Sequence, residues 1–527
     1  MSGPEMSASD VAAKDDAHLR SLGIKPELTR TLGFLSNFAV AFSYISVSTG
    51  TFTLMYLGMQ LGGPAFFWSW PLVVLGQTFV ALNFAELASH FPVAGSIYQW
   101  SKRLTNKTLG WFTGWFYFWA GLITVTAVAA TVPLVLSSIF GWKISDPSPI
   151  PGMNNLIFWG LVSLVASTVI NIVGVRVLSL INNIGVAAEI LGMAVFAIIL
   201  LIVGRHQDFS VLTQTAGVEA TEPGGYLPVF AVAMFMSLFV VYGFDTAGTF
   251  GEETLDASRQ APRGILTAIW ASGIIGAIFL LAVILATPDL NASKTDFNPI
   301  GTALIAGLGE TWGNVYLFVI LVAVFVCVTA IQGATVRLLF SMGRDRRFPG
   351  GTYLGSVNGT FKTPATASVV VGILAAVPFF ITDSPALLAT GATGLIYLSY
   401  FLANLGVLVA RMRGWPSKKA WFSLGGWGTI INVLALVYGG LMVINFALWK
   451  NGLFGAFGTA LRDNTNPSLT IITSGGNKIA WLPDVPFFEA TVLLILVVGA
   501  IYYVATGQGR KVDKTEADLV TGETAIA

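Results

Sequence analysis

Charged residues are scarce in this chain of 527 residues, since Asp, Glu, Lys and Arg make up only 10% of it. Soluble domains carry about 25% of these residues. The single cysteine, Cys327, permits no internal disulfide, and three scattered histidines predict no metal site and no bound cofactor. A net charge of +1 provides no field that would attract a nucleic acid. These absences exclude an ordinary soluble protein, a disulfide scaffold and a nucleic-acid-binding protein.

Apolar residues, in contrast, make up 54% of the chain, and its mean hydropathy is +0.74. A helix needs about 20 apolar residues to cross about 30 Å of hydrocarbon. Twelve segments meet this criterion, and they predict an all-α integral membrane protein with twelve transmembrane helices, numbered here as spans 1 to 12. The predicted spans cover residues 32–58, 66–88, 110–139, 155–173, 178–203, 227–250, 264–286, 314–341, 364–381, 386–410, 427–449 and 487–505.

The distribution of Lys and Arg predicts the orientation of these spans. If the N-terminus lies in the cytoplasm, the inner segments hold 22 of the 28 basic residues and the outer loops hold the remaining 6. This bias follows the positive-inside rule and predicts a plasma membrane protein with both termini in the cytoplasm. Residues 1–30 lack the apolar core of a signal peptide, so they and residues 507–527 are expected to be cytoplasmic tails. The longest external loop is expected at 450–484.

Two spans carry small polar residues at mid-depth, where a transmembrane helix is normally apolar. Span 1 contains Ser48-Thr-Gly-Thr-Phe52, and span 6 contains the similar Thr246-Ala-Gly-Thr-Phe250. Each segment falls in the first span of a five-span half, spans 1–5 and spans 6–10. Transporters built on inverted repeats bind substrate where such paired helices are broken. Close helix packing through small residues is the alternative, but the density of hydroxyl groups in span 1 favours a substrate site.

Three further segments resemble the amino acid–polyamine–organocation (APC) superfamily of permeases. Residues 85–100, AELASHFPVAGSIYQW, are similar to the signature that follows the second helix in that superfamily. The segment from Gly243-Phe-Asp245 to Gly251-Glu-Glu253 and the exit of span 8, 337–349, agree with it as well. The stretch 254–258 is more similar to the amino acid–choline transporter branch. The resemblance covers roughly residues 31–506.

The resemblance implies a LeuT-type fold with an inverted repeat of five plus five helices and two additional C-terminal helices. Repeat one would cover 31–204, repeat two 226–410, and helices 11–12 would lie within 427–506, so that 31–506 forms one permease domain. In such proteins the opened backbone of span 1 receives a substrate carboxylate, the opened span 6 receives the ammonium, and an aromatic side chain forms a lid. The residues implied to bind substrate are Ser46, Ser48, Thr49, Gly50, Thr51, Phe239, Gly243, Phe244 and Asp245.

Acidic residues inside the spans point to the same region, because an ionised side chain at a helix centre costs about 2.5–3.5 kcal/mol. Asp245 is expected to face the cationic end of the substrate. Glu189 lies deep in span 5, where no Lys or Arg is available as a partner, and it is predicted to carry a coupled proton. A permanently protonated structural acid is the alternative. Glu86, near the end of span 2, is expected to order the following loop with Ser96 or Tyr98.

Together these features predict a secondary transporter that imports an amino acid or a related small amine, such as γ-aminobutyrate, with a proton. A choline, ethanolamine or polyamine permease and an exchange carrier remain alternatives. A sodium-coupled carrier, with Thr329, Gln332 and Thr335 as sodium ligands, is another. An integral-membrane enzyme is disfavoured because the sequence has no HExxH or GxSxG motif. The expected partners are the substrate, the coupling ion and the lipid bilayer, without nucleic acid or a partner protein.

Overall fold

The computed structural model describes residues 7–218, 225–294, 296, 298–382, 384–447 and 487–510. These residues form helices, and their β-structure is limited to two isolated bridges. Ten of the helices are long and apolar enough to cross a membrane, and two shorter apolar helices lie at Tyr226–Val240 and Ala365–Phe380. The shorter helices coincide with predicted spans 6 and 9, so the twelve apolar segments agree with the expected number. The loop predicted at 450–484 and most of the C-terminal tail lie outside the described residues.

The helices begin and end close to the predicted positions. The largest difference is in span 8, which belongs to a helix that starts at Pro299 and changes direction at Gly309, where φ is 77°. In chain order the spans are Phe34–Ile45 with Val47–Gly62 (span 1), Ser69–His90 (span 2), Lys107–Ala129 with Thr131–Phe140 (span 3), Asn155–Val173 (span 4), Val175–Val203 (span 5), Tyr226–Ala233 with Phe235–Val240 and Thr246–Thr249 (span 6), Ala257–Ala286 (span 7), Pro299–Arg344 (span 8), Ala365–Ala376 (span 9), Pro385–Met412 (span 10), Gly428–Ala447 (span 11) and Phe487–Ala505 (span 12).

The spans differ strongly in how much of their surface other helices cover. The most apolar stretch of span 1 is 94% buried, whereas that of span 12 is 17% buried. Spans 4, 5 and 11 resemble span 12, since only 28–33% of their apolar stretches is buried. Apolar side chains that no other helix covers are the surface that lipid covers in a membrane protein. Span 1 therefore lies at the centre of the bundle.

Span 1 and span 6 are each divided into two half-helices that pack against each other. Half-helix 1a, Phe34–Ile45, contacts half-helix 6b, Thr246–Thr249, and half-helix 1b, Val47–Gly62, contacts half-helix 6a, Tyr226–Val240. The first half of one span therefore packs on the second half of the other. Such an antiparallel pair of broken helices is the arrangement that an inverted repeat requires.

Four buried or partly buried ion pairs connect the spans at the end of the bundle where span 1 begins, which we call the charged end. Burial alone would raise the pKa of Asp345, but the charges of Lys102 and Arg344 lower it below its ordinary value. The N-terminal helix Ala8–Ser21 packs at the same end, where the His18 ring contacts the backbone oxygen of His90 at 3.1 Å. The four pairs are Arg337–Glu253, Arg344–Glu252, Lys102–Asp345 and Arg411–Glu86.

The partners of Glu86 correct the expectation that it bonds to Ser96 or Tyr98. Its carboxylate accepts hydrogen bonds from Arg411, from the Ser423 hydroxyl at 3.2 Å and from the Leu424 N–H at 2.9 Å. Glu86 thus orders the loop between spans 10 and 11 rather than the loop that follows its own span. Arg411 is 325 residues away in sequence, so no local pattern could have identified this pair.

Candidate functional site

The break in span 1 is a single residue, Ser46, whose φ of 28° and ψ of 88° are not helical. The Ser46 N–H ends half-helix 1a by donating to the Phe42 carbonyl, and the Ser46 carbonyl accepts the N–H of Gly50 at 3.1 Å. Half-helix 1b therefore starts at Val47. The first N–H groups of a helix have no acceptor within it and carry the positive end of its dipole. The pentapeptide that starts at Ser48 forms this first turn rather than the break itself.

The break in span 6 is longer and extends from Val241 to Asp245, between half-helices 6a and 6b. Gly243 has a φ of 91°, and a Cβ atom there would lie 1.9 Å from the ring of Tyr44. A side chain is therefore excluded both by the backbone conformation and by the close approach of span 1. The Gly243 N–H donates to the Tyr400 hydroxyl at 2.9 Å, which ties the opened segment to span 10.

Glu189 reaches from span 5 to the break in span 1. Its Oε1 atom accepts hydrogen bonds from the Ser46 hydroxyl at 3.0 Å, the Ser48 hydroxyl at 2.8 Å and the Ser48 N–H at 3.2 Å. The side chain is 2% exposed. The structure thus brings together three of the residues singled out from the sequence, Ser46, Ser48 and Glu189. The proton-coupling role of Glu189 stays a prediction.

Asp245 is buried, and all its described partners are hydroxyl groups. One carboxylate oxygen accepts from Tyr117 at 2.6 Å and from Ser96 at 3.1 Å, and the other accepts from Tyr400. These groups tie the start of half-helix 6b to span 3, to span 10 and to the helix Ser96–Leu104. In this conformation the carboxylate would have to leave three donors to reach a substrate, so the predicted contact with a cationic ligand stays a prediction.

A narrow cavity of about 10 Å³, room for about one water molecule, lies between the two breaks. Four of the predicted substrate-binding residues line it: Ser46, Thr49, Gly50 and Phe239. The remaining lining residues, which the sequence analysis missed, are Tyr44, Ile45, Thr124, Val128, Tyr242, Cys327 and Ile331.

Five of the residues implied to bind substrate do not line this cavity. The hydroxyl of Thr51 donates to the Val47 carbonyl at 2.6 Å, within its own helix. Phe244 packs against Tyr400, with ring centroids 5.6 Å apart. Ser48 contacts Glu189, as described above. The other two, Gly243 and Asp245, bond to span 10 and to hydroxyl groups.

The side chains named as alternative sodium ligands bond to their own helix or to span 4. Thr329 donates to the carbonyls of Phe325 and Val326, within its own helix, and Thr335 does the same to Ile331. Gln332 turns towards span 4, where its Nε2 donates to the Thr168 hydroxyl at 2.7 Å. Within the described residues no group of His, Cys, Asp and Glu could hold a metal ion.

Comparison with known proteins places the chain in a family. The model of the amino acid permease family matches residues 32–474. Amino-acid permease BAT1 of Arabidopsis thaliana is 27% identical over 486 residues, which cover 85% of this chain and 90% of BAT1. The BAT1 homolog of Oryza sativa subsp. japonica is 28% identical over 466 residues, covering 82% of this chain and 87% of the homolog.

A solved structure shows the same fold. MhsT in complex with L-phenylalanine matches with a TM-score of 0.52 at 15% identity, covering 80% of this chain and 99% of MhsT. MhsT has the LeuT fold, so the fold class expected from the sequence is confirmed, as is the resemblance to the APC superfamily. The family match extends over most of the bundle, including both broken spans and Glu189. The chain therefore belongs to the amino acid permease family and is a secondary transporter.

Proposed function

We propose that this permease imports an amino acid, or a related small amine, across the plasma membrane by alternating access, and that an inward flow of protons drives accumulation. The charged end would face the cytoplasm, because the loops on that side carry most of the basic residues. Alternating access then requires half-helices 1a and 6b to separate towards the cytoplasm and half-helices 1b and 6a to separate towards the outside. The cavity between the breaks, which is narrow in this conformation, would widen as the half-helices separate and hold the substrate at mid-membrane.

The chemistry of the cavity supports an amino acid as the substrate. Half-helix 1b begins beside this cavity, and its first N–H groups, with the donors of Ser46 and Ser48 once Glu189 releases them, suit a carboxylate. Half-helix 6a ends at Val240 beside the same cavity, and its last carbonyls suit an ammonium group. Both relatives described above are named amino-acid permeases, and MhsT was solved with L-phenylalanine.

The observation that carries the proposed proton coupling is the contact of Glu189 with the first turn of half-helix 1b. When ionised, this carboxylate attracts three donors at the point where the substrate carboxylate would approach. Protonation removes the negative charge and weakens these charge-assisted bonds. The Ser48 N–H and the two hydroxyls then become available, and span 1 is less firmly held to span 5. A proton can thereby shift the balance between two states of the carrier.

Replacement of Glu189 by glutamine tests this role in liposomes that contain the purified protein. Glu189→Gln mimics the protonated side chain, so we expect it to bind substrate and to exchange internal for external substrate. It should lose the accumulation that an inward proton gradient drives in the wild type. Glu310→Gln is the matched control, because Glu310 is an exposed acid and should leave accumulation unchanged. Wild-type accumulation with unchanged pH dependence in Glu189→Gln would make Glu189 a structural acid only.

The same liposomes separate the proton from sodium as the coupling ion. When potassium replaces sodium in the buffer and the proton gradient is kept, the wild type should still accumulate substrate. Choline is not used to replace sodium, because it is an alternative substrate. If accumulation instead requires sodium and ignores the proton gradient, the proposed coupling is wrong. If only exchange is observed under both gradients, the protein is an exchange carrier.

A further inference from the structure

We infer that the cavity selects amino acids that carry no net charge, with uncharged side chains, and excludes lysine, polyamines and choline. The inference deepens the proposed function, because it depends on this cavity being the substrate site. It goes beyond the family assignment, which leaves the charge of the substrate open.

The lining of the cavity contains no acidic and no basic side chain among the described residues. Its polar groups are hydroxyls, from Ser46, Thr49 and Thr124 and from two tyrosines, and the rest of its surface is aromatic or aliphatic. Tyr44 and Tyr242 meet edge to face, with ring centroids 6.1 Å apart. Hydroxyls can donate or accept, so this lining can solvate a dipolar ligand but cannot neutralise a net charge.

The two acids close to the cavity are already bonded to other groups. Asp245 accepts hydrogen bonds from three hydroxyls, and Glu189 accepts from two hydroxyls and one N–H. Neither of them lines the cavity. To neutralise a cationic substrate, either acid would have to give up these donors, and the tyrosine hydroxyls would then be left buried without their acceptor. Buried polar groups that lose a partner carry a desolvation penalty.

A ligand with a net positive charge would therefore enter without a counter-charge. Transfer of an unpaired ion from water into a site of low dielectric constant is unfavourable unless a partner compensates for it.

A neutral amino acid brings its own counter-charge. Its carboxylate can bind at the start of half-helix 1b, and its ammonium can donate hydrogen bonds to the carbonyls at the end of half-helix 6a, which choline, without an N–H group, cannot do. An uncharged side chain would then lie against Val128 and Ile331. The two charges of the ligand lie within a few bonds of each other, so the site needs to supply only hydrogen bonds and oriented dipoles.

Cys327 provides a direct measure of occupancy. It is the only cysteine of the chain and it lines the cavity, so a ligand in the site should protect it from a small neutral thiol reagent such as N-ethylmaleimide. The rate of labelling would be measured on the purified carrier with L-alanine, L-phenylalanine, γ-aminobutyrate, L-lysine, putrescine and choline. The variant Cys327→Ser is the control for labelling at other residues and should show no labelling. Competition for uptake of the radiolabelled substrate in liposomes gives a second measurement that does not depend on thiol reactivity.

We expect at least one neutral amino acid to protect Cys327 and to compete for uptake, with L-lysine, putrescine and choline at least about 100-fold weaker, since a buried charge without a partner is strongly disfavoured. The inference would be overturned if any of the three cationic compounds protected Cys327 with an affinity within about tenfold of that of the best neutral amino acid. A tenfold ratio of affinities corresponds to about 1.4 kcal/mol. Competition by L-lysine would overturn the inference about selectivity but would leave the proposed amino acid transport unaffected. If no amino acid protects or competes, the proposed function fails and the inference fails with it.

A gain of recognition provides a positive test. Thr124 lines the cavity from span 3, and its hydroxyl lies 3.5 Å from that of Tyr242. Thr124→Asp would add a carboxylate to the lining, and we expect it to increase competition by L-lysine relative to L-alanine by at least about tenfold. Thr124→Asn has nearly the same shape without the charge and should leave the ranking as in the wild type. An equal effect of both variants would mean that charge does not decide selectivity.

Discussion

The acids at the charged end and the acids at the centre of the bundle are buried to a similar extent but have different partners. Glu86, Glu252 and Glu253 each bond to an arginine and are at most 2% exposed. Glu189 and Asp245 are also at most 2% exposed, but their described partners are hydroxyls and one N–H.

This difference indicates different roles for the two groups of acids. A carboxylate paired with arginine keeps its charge, because removal of the charge would leave the arginine buried without a partner. It can hold helices together but is poorly suited to exchange protons. A carboxylate surrounded by hydroxyls can be charged or neutral, because hydroxyl groups can turn to donate or to accept. The charged end is thus suited to closing the bundle, and the centre is suited to a change of protonation.

The largest effect is expected from breaking a pair at the charged end. Arg337 donates to Glu253 at 2.6 and 2.9 Å, and its guanidinium lies 3.8 Å from the ring centroid of Phe250. Arg337→Gln would leave Glu253 as an unpaired buried charge and should lower the free energy of unfolding by about 3–5 kcal/mol. Thermal unfolding in detergent measures this loss. The double variant Arg337→Gln with Glu253→Gln should recover much of it, and no recovery would show that the charge of Glu253 is not the cause.

At the centre, removal of a hydroxyl donor reports the charge of Asp245. Tyr400→Phe removes the donor to Asp245 and the acceptor of the Gly243 N–H. If Asp245 is ionised, the variant should lose about 1.5–3 kcal/mol of the free energy of unfolding, as for hydrogen bonds to charged groups. If Asp245 is neutral, the variant should lose about 1 kcal/mol. Tyr117→Phe removes a single donor and should cost less. The same unfolding assay applies, and a larger loss for Tyr117→Phe would contradict the double role of Tyr400.

The contact between half-helices 1b and 6a can be tested by adding one methyl group. A Cβ atom at Gly50 would lie 2.5 Å from Cγ2 of Val240. Gly50→Ala should therefore push the half-helices apart, at a cost of about 1–3 kcal/mol, and reduce uptake. Val240→Ala in the same chain should restore uptake by making room. At Gly33 an added Cβ meets nothing within 4 Å, so Gly33→Ala is the control for a change of glycine as such. Full activity of Gly50→Ala would show that the two half-helices are not tightly packed.

The smallest effect is expected for an exposed ion pair. Arg205 and Asp208 are 3.4 Å apart, with side chains 42% and 84% exposed. Arg205→Gln should change the free energy of unfolding by at most about 1 kcal/mol, since solvent screens such pairs. An effect as large as that of Arg337→Gln would mean that burial does not separate the two kinds of pair.

The features that the sequence alone predicted well are those encoded locally. Apolar length predicted the spans, and the hydroxylated segments predicted the regions of both breaks, although Ser46 and residues 241–245 lie just before the pentapeptides. The pentapeptides themselves lie in the first turns of half-helices 1b and 6b. Tyr44 and Tyr242 could have been found as neighbours of the breaks.

Long-range partners could not be predicted in this way. The donors to Asp245 come from Tyr117 and Tyr400, which are 128 and 155 residues away. Their hydroxyls surround the carboxylate of Asp245, and its contact with the cationic end of a substrate stays a prediction. Glu189 was located more successfully, since a solitary acid on span 5 could be expected to face the opened span 1. The packing of both helices determines which hydroxyls donate to the Glu189 carboxylate, and the sequence does not show this packing.

A count of protons during uptake tests most directly the role of Glu189 as the proton carrier. The measurement uses liposomes that contain the purified permease and a pH-sensitive dye, with the membrane potential held at zero. Addition of a transported amino acid should acidify the interior of wild-type liposomes in proportion to the substrate taken up. Glu189→Gln should take up substrate down its gradient without this acidification. Equal acidification by both proteins would contradict the assignment of the coupled proton to Glu189.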